Sequence, residues 1–229
     1  LHIGDVTDAE SVLTAIPDKA DAVFHVAAST NFWSKKNAEQ IRINVEGTRN
    51  LLEAAVSAQA GRFIHTSSFV TWGFTDKEIN EDSARTDSSD WINYVRTKHR
   101  SEQMVLDAAA SGLLDTVVLN PANVLGPGDR HNWSRMFRLI NQRKLPGAPP
   151  GGGNFCDVRE VAKAHVRAFH DGRNGNKYLL GGEFARILDA IAIAGELLGR
   201  SVPKKPMPAW LLMSAAQLVT AMAMFTGRE

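Results

Sequence analysis

The chain has 229 residues, 44% of them hydrophobic and 22% charged, the balance of an ordinary globular protein. That length suits one large α/β domain, or one domain with a small lobe. A net charge of +1 gives no footing for nucleic acid or an anionic membrane surface, and the single Cys156 excludes an internal disulfide and fits a reducing, cytoplasmic compartment.

Leu1 to Val6 reads as the end of a strand entering a turn. Thr7 followed by Glu10 is a capping-box pattern that starts a helix running to about Ile16. Asp21 to Ala28 is a short apolar run ending in small residues, the pattern of a buried parallel strand. Its Ala27 and Ala28 either let a flat ligand lie against the backbone or simply pack tightly. From about Ala38 to Ala58, Ile41, Val45, Thr48, Leu52 and Ala55 keep helical spacing, with Asn44 just off the buried stripe.

Arg62 to Ser68 is the next strand, running out into Thr66, Ser67 and Ser68. Hydroxyls at the carboxyl end of a strand sit where open α/β sheets bind ligands. Thr75 to Ser89 is polar loop, and a helix spans about Asp90 to Ala110. Thr116 to Leu119 is a fourth strand, and Asn120 to Arg130 (NPANVLGPGDR) reads as loop. A short helix over 132–143 follows. The run LPGAPPGGG, residues 145–153, marks a lobe boundary, with 1–145 as the main domain and 146–229 as mainly a lobe whose strands and helices partly return to the main sheet. Beyond it come a strand near 155–158, a helix over 159–170, a strand over 177–180 and a helix over 184–198. The apolar tail from Ala209 to Phe225 carries Ser214, Gln217 and Thr220, and is too short and polar to span a membrane. An amphipathic lobe helix is the expectation.

The chemistry concentrates in Tyr94-Val95-Arg96-Thr97-Lys98. Residues four apart share a helix face, so Tyr94 and Lys98 point the same way. A nearby ammonium favours phenolate and lowers a tyrosine pKa. With a serine from the neighbouring strand end, such a pair makes a general acid/base that orients a carbonyl or alcohol.

Taken in order, GDVTD (Gly4 to Asp8), HVAAS (His25 to Ser29), NVEGT (Asn44 to Thr48), HTSS (His65 to Ser68), YVRTK (Tyr94 to Lys98) and NPANVLGPGD (Asn120 to Asp129) resemble the extended short-chain dehydrogenase/reductase superfamily. CDVREVAKAHVRAF (Cys156 to Phe169) and YLLGGE (Tyr178 to Glu183) look most like dihydroflavonol-reductase-like and sugar-epimerase-like members of its NAD-dependent epimerase/dehydratase group. The likeness implies a Rossmann-type, doubly wound parallel sheet with a small C-terminal substrate lobe, and NAD or NADP as cofactor. It implies Asp5 and Val6 beside the adenine, and Val26, Ala27, Ala28 and Ser29 under the ribose and pyrophosphate. Asn44 and Thr66 fall near the cofactor, and Pro121 and the backbone near Val124 flank the nicotinamide. Ser68 aligns with the catalytic serine, standing five residues before Gly73 in S-x-x-x-[YW]-G. Tyr94 becomes the acid/base. Lys98 becomes the ribose ligand that depresses the tyrosine pKa.

The family's opening strand and Gly-rich pyrophosphate turn have no counterpart from Leu1 onward, and its small lobe normally runs past the position of Glu229. The expectation is a longer natural chain at both ends. The function expected is oxidation of a secondary alcohol or reduction of a ketone. The alternatives are a nucleotide-sugar epimerase or dehydratase, with Asn120 and Arg130 as substrate ligands, and a non-catalytic member of the fold. The expected partner is a small-molecule substrate, without nucleic acid, membrane span or metal, and a homodimer is allowed.

Overall fold

The computed structural model describes residues 1–75, 77–86, 90–130, 132–214 and 217. β1 (Val23–His25), β2 (Phe63–Thr66), β3 (Thr116–Pro121) and β6 (Asn176–Leu180) lie side by side in that order, all parallel. Successive side chains of a strand face opposite ways. Phe63 and Val118 therefore meet Leu52 and Ala55 of α3 (Gly47–Ser57) and Val105 of α4 (Asn93–Ala110) on one face. Ile64, Val117 and Leu119 meet Ala168 of α6 (Val158–Asp171) on the other. Helices on both faces of a parallel sheet make the doubly wound arrangement.

The helix expected over 38–58 begins as α2 (Asn37–Ile41), passes through a π-helical turn at Arg42–Glu46, and continues as α3. The widened turn contains Asn44, which is buried. Such bulges recur at functional sites because they re-aim one side chain without ending the helix. The cap of α1 (Ala9–Ala15) is Asp8, not Thr7: Asp8 Oδ1 accepts from the amides of Glu10 at 3.0 Å and Ser11 at 3.2 Å. Thr7 is diverted, its own amide donating to Asp5 Oδ1 at 2.9 Å.

Other expectations needed correction. Leu1 to Val6 pairs with no strand among the described residues. β1 ends at His25, the last residue in register with β2, and Val26 to Ala28 continue as exposed coil. Asn120 and Pro121 belong to β3, because Pro121 stands beyond the last pairing with β2 and needs no amide hydrogen there. Asn123–Leu125 form β4 rather than loop. A strand, β7 (Glu183–Arg186), precedes α7 (Ile187–Leu198) where a helix from Phe184 was expected. It pairs antiparallel with β5 (Gly152–Asp157), where a Cβ on Gly152 would come within 2.6 Å of the Ala185 carbonyl oxygen.

The chain divides into two compact units, Leu1–Ala122 with Arg159–Gly181, and Asn123–Val158 with Gly182–Glu229. The boundary expected near residue 145 falls within the second unit. That unit holds the sheet β4–β5–β7 and a core of Ile140, from α5 (Trp133–Asn141), with Ala148, Ile191 and Ala194. Residues 209–214 are helical, while the rest of the tail, apart from Gln217, lies outside the described residues. Among the described residues no helix is long and apolar enough to cross a membrane.

Candidate active site

The carboxyl ends of β1 and β2 and the N-terminal half of α4 bring the sequence motifs of the first unit together. Asn44 joins them. Its Oδ1 accepts from the Ser29 amide at 2.7 Å, and its Nδ2 donates to the Ser29 carbonyl and to Thr97 Oγ1, each at 3.0 Å. Thr97 Oγ1 donates in turn to the Tyr94 carbonyl at 2.9 Å. Gln40 adds Nε2 bonds to the Ser29 and Asn31 carbonyls, at 3.1 and 2.6 Å, and accepts from Asn93 Nδ2 at 2.9 Å. The loop after β1 is thereby fastened to the first turns of α4.

Tyr94, Lys98 and Glu102 follow one face of α4 at four-residue spacing. The Tyr94 ring packs against Phe32, ring centroids 5.4 Å apart, and its phenol meets the Ser68 side chain. Burial pushes the Tyr94 pKa above its usual 10.0, and the hydrogen bond with Ser68 pulls it back. Lys98 was expected to depress that pKa, and it is not among the groups that do so. Its ammonium is turned to the end of β2, where Nζ donates to the Thr66 carbonyl at 2.7 Å. Burial lowers Lys98 from 10.5 to about 8, with the Glu102 charge opposing. An ammonium has three donors. Among the described residues one of the three is engaged, by the Thr66 carbonyl.

Ser67 and Ser68 divide as alternating strand-end residues do. Ser67 Oγ donates inward to Glu102 Oε2 at 2.5 Å, and Ser68 faces Tyr94. Ser68 also starts a 3-10 turn, Phe69–Trp72, that ends at Gly73 with φ +79°. A Cβ there would lie 2.3 Å from the Thr86 carbonyl oxygen, so only glycine fits. Thr66 Oγ1 donates to His165 Nε2 at 2.7 Å, since the other ring nitrogen, Nδ1, donates to the Val161 carbonyl.

Asp5 is exposed, with Oδ1 held by the Thr7 amide, and that bond lowers its pKa. Val6 packs on Gly47, where any Cβ would approach Val6 Cγ2 to 2.8 Å, and its carbonyl accepts from Asn50 Nδ2 at 2.9 Å. Val26, Ala27 and Ala28 are exposed, and Pro121 is buried at the end of β3. Asn120 does not offer its amide to a ligand: it is fully buried, and Nδ2 faces Glu102 Oε2 at 2.6 Å, the Ser68 carbonyl at 3.1 Å and Thr71 Oγ1 at 3.2 Å. Val124 and Arg130 belong to the second unit, Val124 in β4 and Arg130 exposed with its carbonyl accepting from Arg138.

Phe32, Gln40, Thr97, Glu102 and His165 were not singled out from the sequence. Only Glu102 left a signal there, repeating the Tyr94–Lys98 spacing once more. Among the described residues no cluster of His, Cys, Asp and Glu is arranged to hold a metal.

Residues 1–181 match the model of the NAD dependent epimerase/dehydratase family. The chain is 31% identical over 223 residues to the "Putative dihydroflavonol 4-reductase" of Synechocystis sp., covering 93% of the chain and 64% of that relative. It is 31% identical over 219 residues to "Sterol demethylase protein B" of Methylococcus capsulatus, covering 94% of the chain and 66% of that relative. The chain thus spans just under two thirds of each. The crystal structure of gox2253 superposes with a TM-score of 0.82 at 28% identity, over 100% of this chain and 70% of that one. RMD from Pseudomonas aeruginosa complexed with NADPH shares the fold, at TM-score 0.74 and 23% identity over 88% and 73% of the two chains. The chain belongs to the NAD dependent epimerase/dehydratase family.

Proposed function

We propose that this chain carries the catalytic part of an NAD- or NADP-dependent oxidoreductase that interconverts a ketone and a secondary alcohol. The observation that carries the reading is Tyr94 beside Ser68 with the buried Lys98 ammonium one helical turn away.

The residues present fit a dinucleotide. The Lys98 ammonium suits ribose hydroxyls, exposed Asp5 suits an adenine amine, and the bare Val26–Ala28 backbone suits the flat middle of the cofactor. The nicotinamide supplies or accepts the hydride when bound, and the protein supplies position and charge. In the reductive direction Tyr94, kept protonated by burial, gives its phenolic proton to the carbonyl oxygen as that oxygen becomes an alkoxide. Ser68 Oγ–H donates to the same oxygen and fixes its direction. Lys98, held on the Thr66 carbonyl, is the group placed to hold the cofactor ribose rather than the phenol. In the oxidative direction the phenolate takes the hydroxyl proton, and the same two groups hold the alkoxide.

Phe32 against Tyr94 gives the site an apolar, aromatic wall, which favours an aromatic or alicyclic ketone. Asn120, turned inward, no longer supports a nucleotide-sugar site. The test follows absorbance at 340 nm with NADPH or NADH and a panel of dihydroquercetin, a 3-ketosteroid and a UDP-sugar. Dinucleotide oxidation with one of the ketones is expected. Epimerisation of the UDP-sugar without net dinucleotide oxidation would replace this reading with the epimerase.

A further inference from the structure

Glu102 is 3% exposed, one helical turn beyond Lys98. A buried carboxylate costs several kcal/mol unless donors surround it. Here each hydrogen-bonding neighbour donates: Ser67 Oγ to Oε2 at 2.5 Å, Asn120 Nδ2 to Oε2 at 2.6 Å, and Lys177 Nζ to Oε1 at 3.4 Å. Lys177 is itself seated over the Trp72 ring, 4.1 Å from its centroid. Two of these partners lead to Ser68. Ser67 precedes it in the chain. Asn120 Nδ2 also meets the Ser68 carbonyl and Thr71 Oγ1, and Thr71 donates to the same carbonyl at 3.0 Å. The turn that aims Ser68 at Tyr94 therefore hangs from one carboxylate on the tyrosine's own helix.

We propose that Glu102 is a positioning residue for the Ser68–Tyr94–Lys98 site, holding Ser67 and Asn120 so that Ser68 faces Tyr94 and serving as the counter-charge of Lys98. This rests on the oxidoreductase reading and adds to it a residue that touches neither substrate nor cofactor. The charge geometry agrees. Around Lys98 stand Tyr94 and Glu102 on its own helix, His25 on β1 and His65 on β2, both neutral through burial, and Lys177 on β6 against Glu102. Glu102 supplies the charge that favours the Lys98 ammonium against its desolvation. Without it, Lys98 loses its proton nearer neutrality, and Ser67 and Asn120 are left donating to nothing.

The test is Glu102→Gln, which keeps the shape but removes the charge and replaces one of the two acceptor oxygens with a donor, so that three donors can no longer all be met. In the dinucleotide-loaded protein, kcat with NADPH and dihydroquercetin should fall about tenfold or more with KM within a few-fold, the pattern of a misplaced reacting group rather than of weakened substrate binding. A second readout needs no turnover. In protein labelled with ¹³C-lysine, the Lys98 resonance, assigned through Lys98→Arg, should titrate near pH 8 and move to lower pH in Glu102→Gln. An unchanged kcat in the folded variant, or an unmoved Lys98 titration, overturns the proposal. Should Glu102→Gln fail to fold, Ser67→Ala and Asn120→Ala replace it: a kcat loss at steady KM in both supports the role, and wild-type kcat in both overturns it. Tyr94→Phe is measured in parallel. If it keeps its rate the oxidoreductase reading fails, and the lysine titration alone then decides whether Glu102 acts on Lys98.

Discussion

Asn44 binds both backbone groups of Ser29, accepting from its amide at 2.7 Å and donating to its carbonyl at 3.0 Å. A single side chain thus imitates a strand partner at the point where β1 has run out of one. Asn44→Ala would leave the part-buried Ser29 amide unpaired, leave its carbonyl to Gln40 alone, and cut the link to Thr97. Loss of two or three such bonds costs about 2–4 kcal/mol. Urea denaturation should show that loss, and a change below about 1 kcal/mol would mean the loop after β1 is held by Gln40 alone.

Tyr94→Phe removes the proton donor and leaves Lys98 on the Thr66 carbonyl. Turnover should drop by about 10²–10⁴-fold, the usual contribution of a positioned acid/base, with dinucleotide affinity within a few-fold. Steady-state kinetics with a fluorescence titration of NADPH reads both. A variant retaining more than about a tenth of the rate would remove Tyr94 from the chemistry.

Ser68→Ala should cost more activity than Ser67→Ala, because Ser68 meets the phenol and Ser67 is committed to Glu102. Ser67→Ala should instead cost more stability, since it leaves a buried carboxylate short of a donor. Comparing kcat and the urea midpoint for both variants decides the assignment, and the opposite ranking in kcat would exchange the two roles.

Acid should unfold this protein early. Burial lowers His25 from 6.5 to about 3, and His65 also lies well below 6.5. Between those values the unfolded chain binds protons that the folded chain refuses, so stability present above pH 6.5 is lost as pH falls toward 3. His25 contributes about 1.4 kcal/mol per pH unit inside that window, and His65 adds in the same direction. Lys98 acts at the other end: its folded value of about 8 against 10.5 makes stability rise from pH 8 to 10.5. Urea unfolding at pH 7 and pH 5 should show the acid loss, and His25→Gln should reduce its slope by about one proton. An unchanged slope would show that His25 is not the group titrating.

Gly73→Ala should be severe. Its φ of +79° disfavours any side chain, and the new methyl would meet the Thr86 backbone at 2.3 Å. The Thr86 amide bonds the Trp72 carbonyl at 2.8 Å, so relieving the clash pulls apart the turn that begins at Ser68. A loss of about 2–4 kcal/mol, with lower turnover in whatever remains folded, is expected from thermal unfolding and kinetics. A wild-type melting temperature would mean the segment near Thr86 yields freely.

Local residue patterns are enough to dictate the parallel sheet, the helices on its two faces and the Tyr94–Lys98 pair. The regularities are apolar runs in strands, helical spacing from Ile41 to Ala55, and four-residue spacing on α4. The choice of Ser68 over Ser67 comes instead from the family resemblance, through the S-x-x-x-[YW]-G pattern that ends at Gly73. Whatever depends on neighbours distant in the chain was settled by folding. β7 forms because β5 lies beside it, although Glu183 to Arg186 alone reads as a helix start. Asn44 became a clamp only when the π-helical turn aimed it at Ser29. Asn120 looks like a ligand-facing loop amide in sequence, and it is buried because β3 extends past the end of β2 and carries it inward to Glu102. The pKa of Tyr94 departs from expectation for the same reason. Spacing places Lys98 on the right face, but the direction of its ammonium and the depth of the phenol are set by packing, and in the folded chain burial outweighs the hydrogen bond that opposes it.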